Sequence, residues 1–167
     1  MKFFGLAMLS VQLVSCGMNT DNIDVLNSTN IPTLGPFTSS GMVSGNLGTG
    51  FTTSTPYWIF SSAIAYGSYF APARGIVTEV GSSTLSSGAS FITIVHSSRL
   101  ATVVHGLQLI NVRPGDAVLE GSSVGSFLGG SSIAFQVLLD GTPVCPLSFL
   151  SATLRSSFVV GAFNPCQ

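Results

Sequence analysis

Charged side chains are scarce in this chain. Only 7% of its 167 residues are Asp, Glu, Lys or Arg, with five basic and six acidic side chains and a formal net charge of −1. Proteins that bind nucleic acid present a basic surface to the phosphate backbone. The composition therefore gives no reason to expect nucleic acid as a partner.

Lysine and histidine are scarcer still. Lys2 is the single lysine, and His96 and His105 are the two histidines. A biotinyl or lipoyl carrier domain needs a lysine to carry its group. Because Lys2 lies in the N-terminal segment, outside any folded domain, that class of protein is excluded.

Helical periodicity is weak throughout, and no segment makes a convincing amphipathic helix. The chain is instead rich in Gly, Ser, Thr and Val, which favours short strands and turns. Ile133, Phe135 and Val137 recur at period two, as a half-buried strand requires. The run Pro114-Gly115-Asp116 supplies a turn between strands. We therefore predict one all-β domain over residues 51–150, with a strand or a buried turn at 57–60, further strands at 76–80, 91–95, 100–104, 117–124 and 144–150, and a turn at Asp140-Gly141.

The N-terminus has the pattern of a signal peptide over residues 1–15, because Lys2 precedes an apolar run too short for a stable membrane span. The run L-V-S-C at residues 13–16 resembles the bacterial lipobox, which implies that Cys16 is acylated and anchors the chain in a bilayer. In a cell with two membranes, Gly17 after the cysteine fits transport to the periplasmic face of the outer membrane. The alternative is an ordinary secretory signal in which Cys16 occurs by chance.

The two ends of the mature chain are predicted to lie outside the folded domain. Residues 16–50 are polar and lack periodicity, which predicts a lipidated N-terminus followed by a flexible linker. Residues 151–167 form a tail, and its Phe- and Val-rich stretch at 158–163 adds an edge strand or presents an apolar contact.

Two cysteines remain once Cys16 is set aside. Cys145 and Cys166 form an even pair in an exported chain, so a disulfide between them is one expectation. It would hold the tail against the domain and stabilise the fold by about 3 kcal/mol. Unpaired thiols or an intermolecular bond are the alternatives.

Six short motifs follow one another along the second half of the chain. They are A-P-A-R-G-I-V at 71–77, F-I-T-I-V-H at 91–96, V-H-G-L at 104–107, V-R-P-G-D-A-V at 112–118, S-I-A-F-Q-V at 132–137 and D-G-T-P-V-C-P-L at 140–147. In order and spacing they resemble the lysostaphin/LytM-type zinc endopeptidases of bacterial cell walls, over about residues 55–150. The resemblance implies a LytM-like open β-sandwich built from hairpins.

The resemblance breaks at the metal site. The family holds zinc with the His and Asp of an H-x-x-x-D motif and with the second His of H-x-H. Counted without gaps from the A-P-A-R-G motif, these positions fall on Tyr57, Ser61 and Ala134, and the first His of H-x-H falls on Ser132. Only His105 matches a catalytic residue of the family. Because Tyr, Ser and Ala are not zinc ligands, we expect a vacated catalytic groove with no catalytic residue, metal or cofactor.

Two other patterns offer little chemistry. His96 ends one predicted strand and His105 lies on its hairpin partner, so a shared metal is conceivable, but two ligands without nearby Asp, Glu or Cys make a poor site. We expect both histidines to be hydrogen-bonded at strand ends. The run G-S-S-V-G at residues 121–125 matches the nucleophile elbow, which needs a helix that residues 126–130 do not predict.

The resemblance therefore implies a non-catalytic envelope lipoprotein, because degenerate domains of this family act as binding or regulatory modules. The leading hypothesis is a partner-binding domain that activates a cell-wall amidase. Direct binding of peptidoglycan, as a tether between membrane and wall, and a structural role in an envelope complex are the alternatives. An active zinc endopeptidase is the function that these residues favour least.

Overall fold

The structure is a computed structural model that describes residues 20–39, 47–61, 66–85, 87–158 and 165–166. Its helices are α1 (Thr20–Asn27), α2 (Ala152–Phe158) and a short 3-10 helix (Pro146–Phe149). Its strands are β1 (Leu47–Thr49), β2 (Trp58–Ser61), β3 (Tyr66–Phe70), β4 (Gly75–Ser82), β5 (Ser90–Val95), β6 (Leu100–Leu107), β7 (Leu109–Ile110), β8 (Ala117–Val118), β9 (Ser123–Leu128), β10 (Ser132–Leu139) and β11 (Thr142–Val144).

Within the described residues the strands form two antiparallel sheets. The larger has the order β1-β2-β10-β6-β5-β4-β8, with β11 also paired to β10, and the smaller has the order β3-β9-β7. The hairpin predicted from residues 91–104 is present as β5 and β6, with Val95 opposite Ala101 near the turn. The prediction of an all-β domain is confirmed.

Aromatic side chains make up much of the core, and alternate residues along the strands point into it. Ile133, Phe135 and Val137 are all fully buried, which confirms the period-two prediction for β10. Phe37 stacks on Phe135 with ring centroids 4.2 Å apart. On β2, Trp58 and Phe60 face the same core, so their neighbours Tyr57 and Ile59 point the other way.

Both predicted turns are present. Gly115 has φ +97° in the turn between β7 and β8, and the Asp116 carboxylate accepts a hydrogen bond of 2.8 Å from the Arg113 backbone N–H. Asp140 and Gly141, with φ of +50° and +76°, connect β10 to β11. The Asp140 carboxylate also accepts two hydrogen bonds from Arg99, which lowers the pKa of Asp140.

The expected flexible linker over residues 16–50 is wrong for the part that the structure describes. Leu34 is fully buried and Phe37 is 3% exposed, and both belong to the core. The Leu34 N–H donates to the Phe149 carbonyl at 2.7 Å, and the Phe70 N–H donates to that of Phe37 at 2.9 Å. Two apolar side chains in a polar stretch are sufficient to dock it. Residues 1–19 and 40–46, which include the signal segment and Cys16, lie outside the described residues.

The C-terminal tail begins with a helix. Residues 152–158 form α2, and Phe158, the first residue of the stretch predicted to add an edge strand or present an apolar contact, packs on Trp58 with ring centroids 4.9 Å apart. The remainder of the stretch at 158–163 is not described. Cys145 and Cys166 are joined in a disulfide, with Cα atoms 5.8 Å apart. The tail is thereby held against the domain.

Both α-helices are short, with eight residues in α1 and seven in α2. In the described part of the chain no helix has the length and apolar character needed to cross a membrane.

Candidate functional site

A cavity of about 500 Å³ opens on the face of the larger sheet that the aromatic core does not occupy. Strands β2, β6 and β10 form its floor, and the β9–β10 turn and the loop after β4 form its walls. Its lining residues are Tyr57, Ile59, Leu85, His105, Gly106, Gly130, Ser131, Ser132 and Ala134. None of them carries a full charge at neutral pH, so the cavity is a neutral, partly apolar site.

The cavity brings together four of the five residues that sequence reasoning placed in the vacated groove. Tyr57, His105, Ser132 and Ala134 all line it. The backbone of Ser61 pairs with that of Ser132 on β10, and the Ser61 side chain lies outside what the structure describes. Four of these positions therefore share one site, as the motif order predicts.

Ile59 lies at the centre of the site and was not identified from the sequence. Ala134 is the cross-strand partner of Ile59 on β2 and of His105 on β6. Period two along β2 was the signal that could have found Ile59, because it shares a face with Tyr57. Leu85, 44% exposed at the cavity rim, lies in a Ser- and Gly-rich loop that carries no such periodic signal.

Strand pairing favours an alignment in which the H-x-x-x-D motif lies two residues earlier in the sequence than the gapless count places it. The Cβ atoms of directly opposed residues on neighbouring strands lie about 5 Å apart, close enough for two longer side chains to share one zinc ion. Since Ala134 occupies the position of the second His of H-x-H, the register favours Ile59, rather than Ser61, as the Asp position. Thr55, four residues earlier, then takes the place that the gapless count gives to Tyr57.

His105 is half-buried beside the aromatic ring of Phe91, with ring centroids 5.3 Å apart. Its Nδ1 forms a 3.3 Å hydrogen bond with the Ser83 hydroxyl. Burial penalises the charged imidazolium and lowers the pKa of His105 below its ordinary value. A neutral imidazole therefore faces the cavity at neutral pH.

Zinc does not fit this set of side chains. A zinc site takes three or four donors from imidazole, thiolate and carboxylate groups. His105 is the single such group among the lining residues, and the described chain holds no cluster of three or more His, Cys, Asp or Glu side chains. Ile59 and Ala134 instead place apolar groups at the centre of the floor.

His96 lies at the other end of the β5–β6 hairpin, at the turn. It is 5% exposed, with Nδ1 3.0 Å from the Arg74 carbonyl oxygen and Nε2 2.9 Å from the Thr102 hydroxyl. The carbonyl can only accept, so Nδ1 carries the proton and Nε2 accepts from Thr102. Burial lowers the pKa of His96 to about 4. The two histidines share no site, and each has the hydrogen-bonded environment that we predict.

The G-S-S-V-G run makes no nucleophile elbow. Ser123 begins β9, which continues as a strand to Leu128, so no helix follows the serine. The match to the elbow pattern has no structural counterpart.

No family model matches the chain, and no curated protein matches it. Solved structures do match. A zinc-containing peptidase from Vibrio cholerae superposes with a TM-score of 0.58 at 18% identity, covering 68% of this chain and 39% of that chain. A chain of the SpoIIQ–SpoIIIAH pore-forming complex superposes with a TM-score of 0.55 at 15% identity. The match covers 73% of this chain and 93% of that chain. The solution structure of lysostaphin superposes with a TM-score of 0.50 at 21% identity. The match covers 66% of this chain and 47% of that chain.

These superpositions show a shared fold at 15–21% sequence identity. The matched region spans less than half of the Vibrio peptidase and of lysostaphin. The described domain therefore has the LytM-like fold of the lysostaphin-type peptidases.

Proposed function

We propose that this chain is a non-catalytic lipoprotein of the bacterial cell envelope. Acylated Cys16 anchors it in a membrane, at the periplasmic face of the outer membrane in a cell with two membranes. Its LytM-like domain binds a protein partner and regulates peptidoglycan hydrolysis by activating a cell-wall amidase.

The cavity carries the proposal. It has a volume of about 500 Å³ and contains four of the positions that the resemblance assigns to the catalytic groove, but its floor holds Ile59 and Ala134, and His105 is its single metal-binding group. A concave site lined by apolar and hydroxyl groups is suited to side chains of a partner. Tyr57 and the exposed Leu85 supply aromatic and aliphatic contact area at its rim.

The SpoIIQ–SpoIIIAH match supports a protein partner. A chain from that two-protein pore-forming complex superposes over 73% of this chain and 93% of its own length. The same fold therefore occurs in a protein assembly as well as in peptidases.

The test measures dye release from labelled sacculi by residues 17–167, alone and mixed with an amidase from the same organism. We expect release above the amidase baseline only in the mixture. Leu85→Ala, at the cavity rim, should reduce the activation. Leu109→Ala is the matched control, because Leu109 is 58% exposed and does not line the cavity.

The other outcomes contradict the proposal in different ways. Release by the chain alone would reveal a catalytic site. No activation, combined with co-sedimentation of the chain and sacculi, would favour a peptidoglycan-binding tether. Equal losses in Leu85→Ala and Leu109→Ala would show that the activation does not use the cavity.

A further inference from the structure

Helix α1 is fixed to one end of the larger sheet. Val25 is 6% exposed, and the Ser28 carbonyl accepts hydrogen bonds from the Ser98 N–H at 2.8 Å and from the Ser98 hydroxyl at 2.9 Å. Asp24 and Val25 also line a depression with His96. The second half of α1 therefore lies at the β5–β6 turn, beside the start of β4.

The cavity lies at the opposite end of the same hairpin. Val95 pairs with Ala101 next to the turn, whereas Phe91 pairs with His105 at the cavity. Five residues of strand separate Phe91 from His96, which corresponds to about 17 Å. Helix α1 and the cavity therefore lie at opposite ends of the β5–β6 hairpin.

Little chain separates α1 from the expected lipid. Four residue steps lead from Cys16 to Thr20, with a reach of at most about 14 Å. Thr20 is one helical turn, about 6 Å, from Asp24. A lipid on Cys16 therefore holds α1 near the bilayer, in contrast to the long reach that a flexible 16–50 linker would give.

We propose that the face formed by α1, residues 28–31 and the β5–β6 turn (96–99), here called the anchor face, lies on the lipid headgroup surface. The cavity then lies at the end of the β5–β6 hairpin that is distant from the bilayer. This inference rests on the lipidation of Cys16 in the proposed function.

The exposed side chains of the anchor face suit a bilayer surface. Leu26 and Ile31 are 45% and 41% exposed, and aliphatic groups beside a lipid anchor add interfacial affinity. The charged residues on and beside this face include both signs: Asp21 and Asp24 are on α1, Arg74 lies beside it, and Arg99 is paired with Asp140. In this orientation a partner reaches the cavity at the end of the sheet that is distant from the membrane.

Two threonines provide a matched pair of probe sites. Thr29 lies on the anchor face and Thr84 lies beside the cavity rim, and both are exposed. Each is changed to Cys in the full lipidated chain and labelled with one fluorophore. Cys145 and Cys166 are disulfide-bonded and do not compete for the label. The proteins are reconstituted in phosphatidylcholine vesicles that carry a spin label on the headgroup.

We expect at least about twofold stronger quenching at Thr29→Cys than at Thr84→Cys, because the hairpin ends lie about 17 Å apart. Leu26→Ser with Ile31→Ser should weaken quenching at Thr29→Cys, and Leu109→Ser should not. Inserting about twelve Gly and Ser residues between Asn19 and Thr20 should remove the difference, because such a linker lets the domain tumble.

Mass spectrometry of the same preparation separates the two levels of the proposal. A chain without lipid on Cys16 overturns both the membrane anchoring and the orientation. A lipidated chain in which the two probes are quenched equally, or Thr84→Cys more strongly, overturns the orientation alone and leaves the anchoring intact.

Discussion

Ala134 and Ile59 are cross-strand partners on β10 and β2, and both line the same cavity. Directly opposed residues have Cβ atoms about 5 Å apart, a separation that lets two longer side chains share one metal ion. In this protein a methyl group and a branched aliphatic group occupy the two positions. Neither group can donate an electron pair to a metal ion.

Restoring the donors at these positions should restore zinc binding. The triple variant Thr55→His, Ile59→Asp, Ala134→His places a carboxylate and an imidazole opposite each other on the cavity floor and adds a second imidazole in the segment before β2, a set of groups that zinc accepts. We expect the variant to bind zinc by isothermal titration calorimetry about tenfold or more tightly than the unaltered chain.

The control is the triple variant Tyr57→His, Ser61→Asp, Ala134→His, which follows the gapless count. Its carboxylate faces Ser132 rather than position 134. Equal or tighter zinc binding by this second variant would contradict the register that assigns Thr55 and Ile59.

The difference between the gapless count and the alignment from strand pairing shows which features of the site the sequence alone could predict. The order of six motifs predicts the fold and brings Tyr57, His105, Ser132 and Ala134 to one cavity. The spacing of the weak H-x-x-x-D position from the A-P-A-R-G motif depends on the length of the segment between β2 and β3. Only strand pairing, which is set by contacts distant in sequence, determines that Ile59 opposes Ala134.

Gly106 provides a second test of the site. A Cβ there would collide with the Ser132 carbonyl oxygen and lie 3.2 Å from the Ile133 Cα, and the residue has φ +97°. Gly106→Ala combines backbone strain with a clash between β6 and β10, so we expect a loss of about 3 kcal/mol of unfolding free energy in urea.

Gly115 is the matched control, with the same φ of +97° and no atom within 4 Å of the added Cβ. Gly115→Ala should cost only the strain of the left-handed conformation, about 1 kcal/mol. Equal losses in the two variants would show that Gly106 is not crowded by β10.

The disulfide should stabilise the fold through the C-terminal tail. The Pro165 carbonyl, next to Cys166, accepts hydrogen bonds from the Trp58 indole N–H at 3.0 Å and the Phe51 N–H at 2.8 Å. Reduction, or Cys145→Ser with Cys166→Ser, should cost about 3 kcal/mol. This corresponds to a fall of about 10 °C in the melting temperature.

Trp58 is the only tryptophan and is fully buried, so its fluorescence reports on the tail directly. Loss of the tail should shift its emission to the red in the folded protein. Reductant should have no effect on the double Ser variant. An unchanged melting temperature after complete reduction would show that the bond contributes nothing to stability.

The sequence analysis did not place two segments in the core, the one that contains Leu34 and Phe37 and helix α2, and the reason is similar for both. Leu34 and Phe37 are isolated apolar residues in a polar stretch, and Phe158 lies at the end of a seven-residue helix. None forms a periodic pattern long enough to indicate burial. Their core contacts come from partners distant in sequence: Phe135 for Phe37, and Trp58 for Phe158.

His96 should make stability depend on pH. Its pKa is about 4 in the folded state against 6.5 for an exposed histidine, because burial penalises the charged ring. The unfolded chain therefore binds more protons between these values, so stability falls as pH falls from 6.5 towards 4, by up to about 3 kcal/mol. Urea denaturation at a series of pH values measures this slope.

Two other groups must be separated from His96. The pKa of Asp140 is lowered from 3.8 by Arg99, so its contribution is lost below this window as the carboxylate protonates. The pKa of His105 is also lowered by burial, so it acts in the same direction as His96 below pH 6.5. His96→Gln, which keeps a donor for the Arg74 carbonyl, should flatten most of the slope, and His105→Gln should flatten less because His105 is half-buried. Identical slopes in the unaltered chain and His96→Gln would show that His96 does not control acid stability.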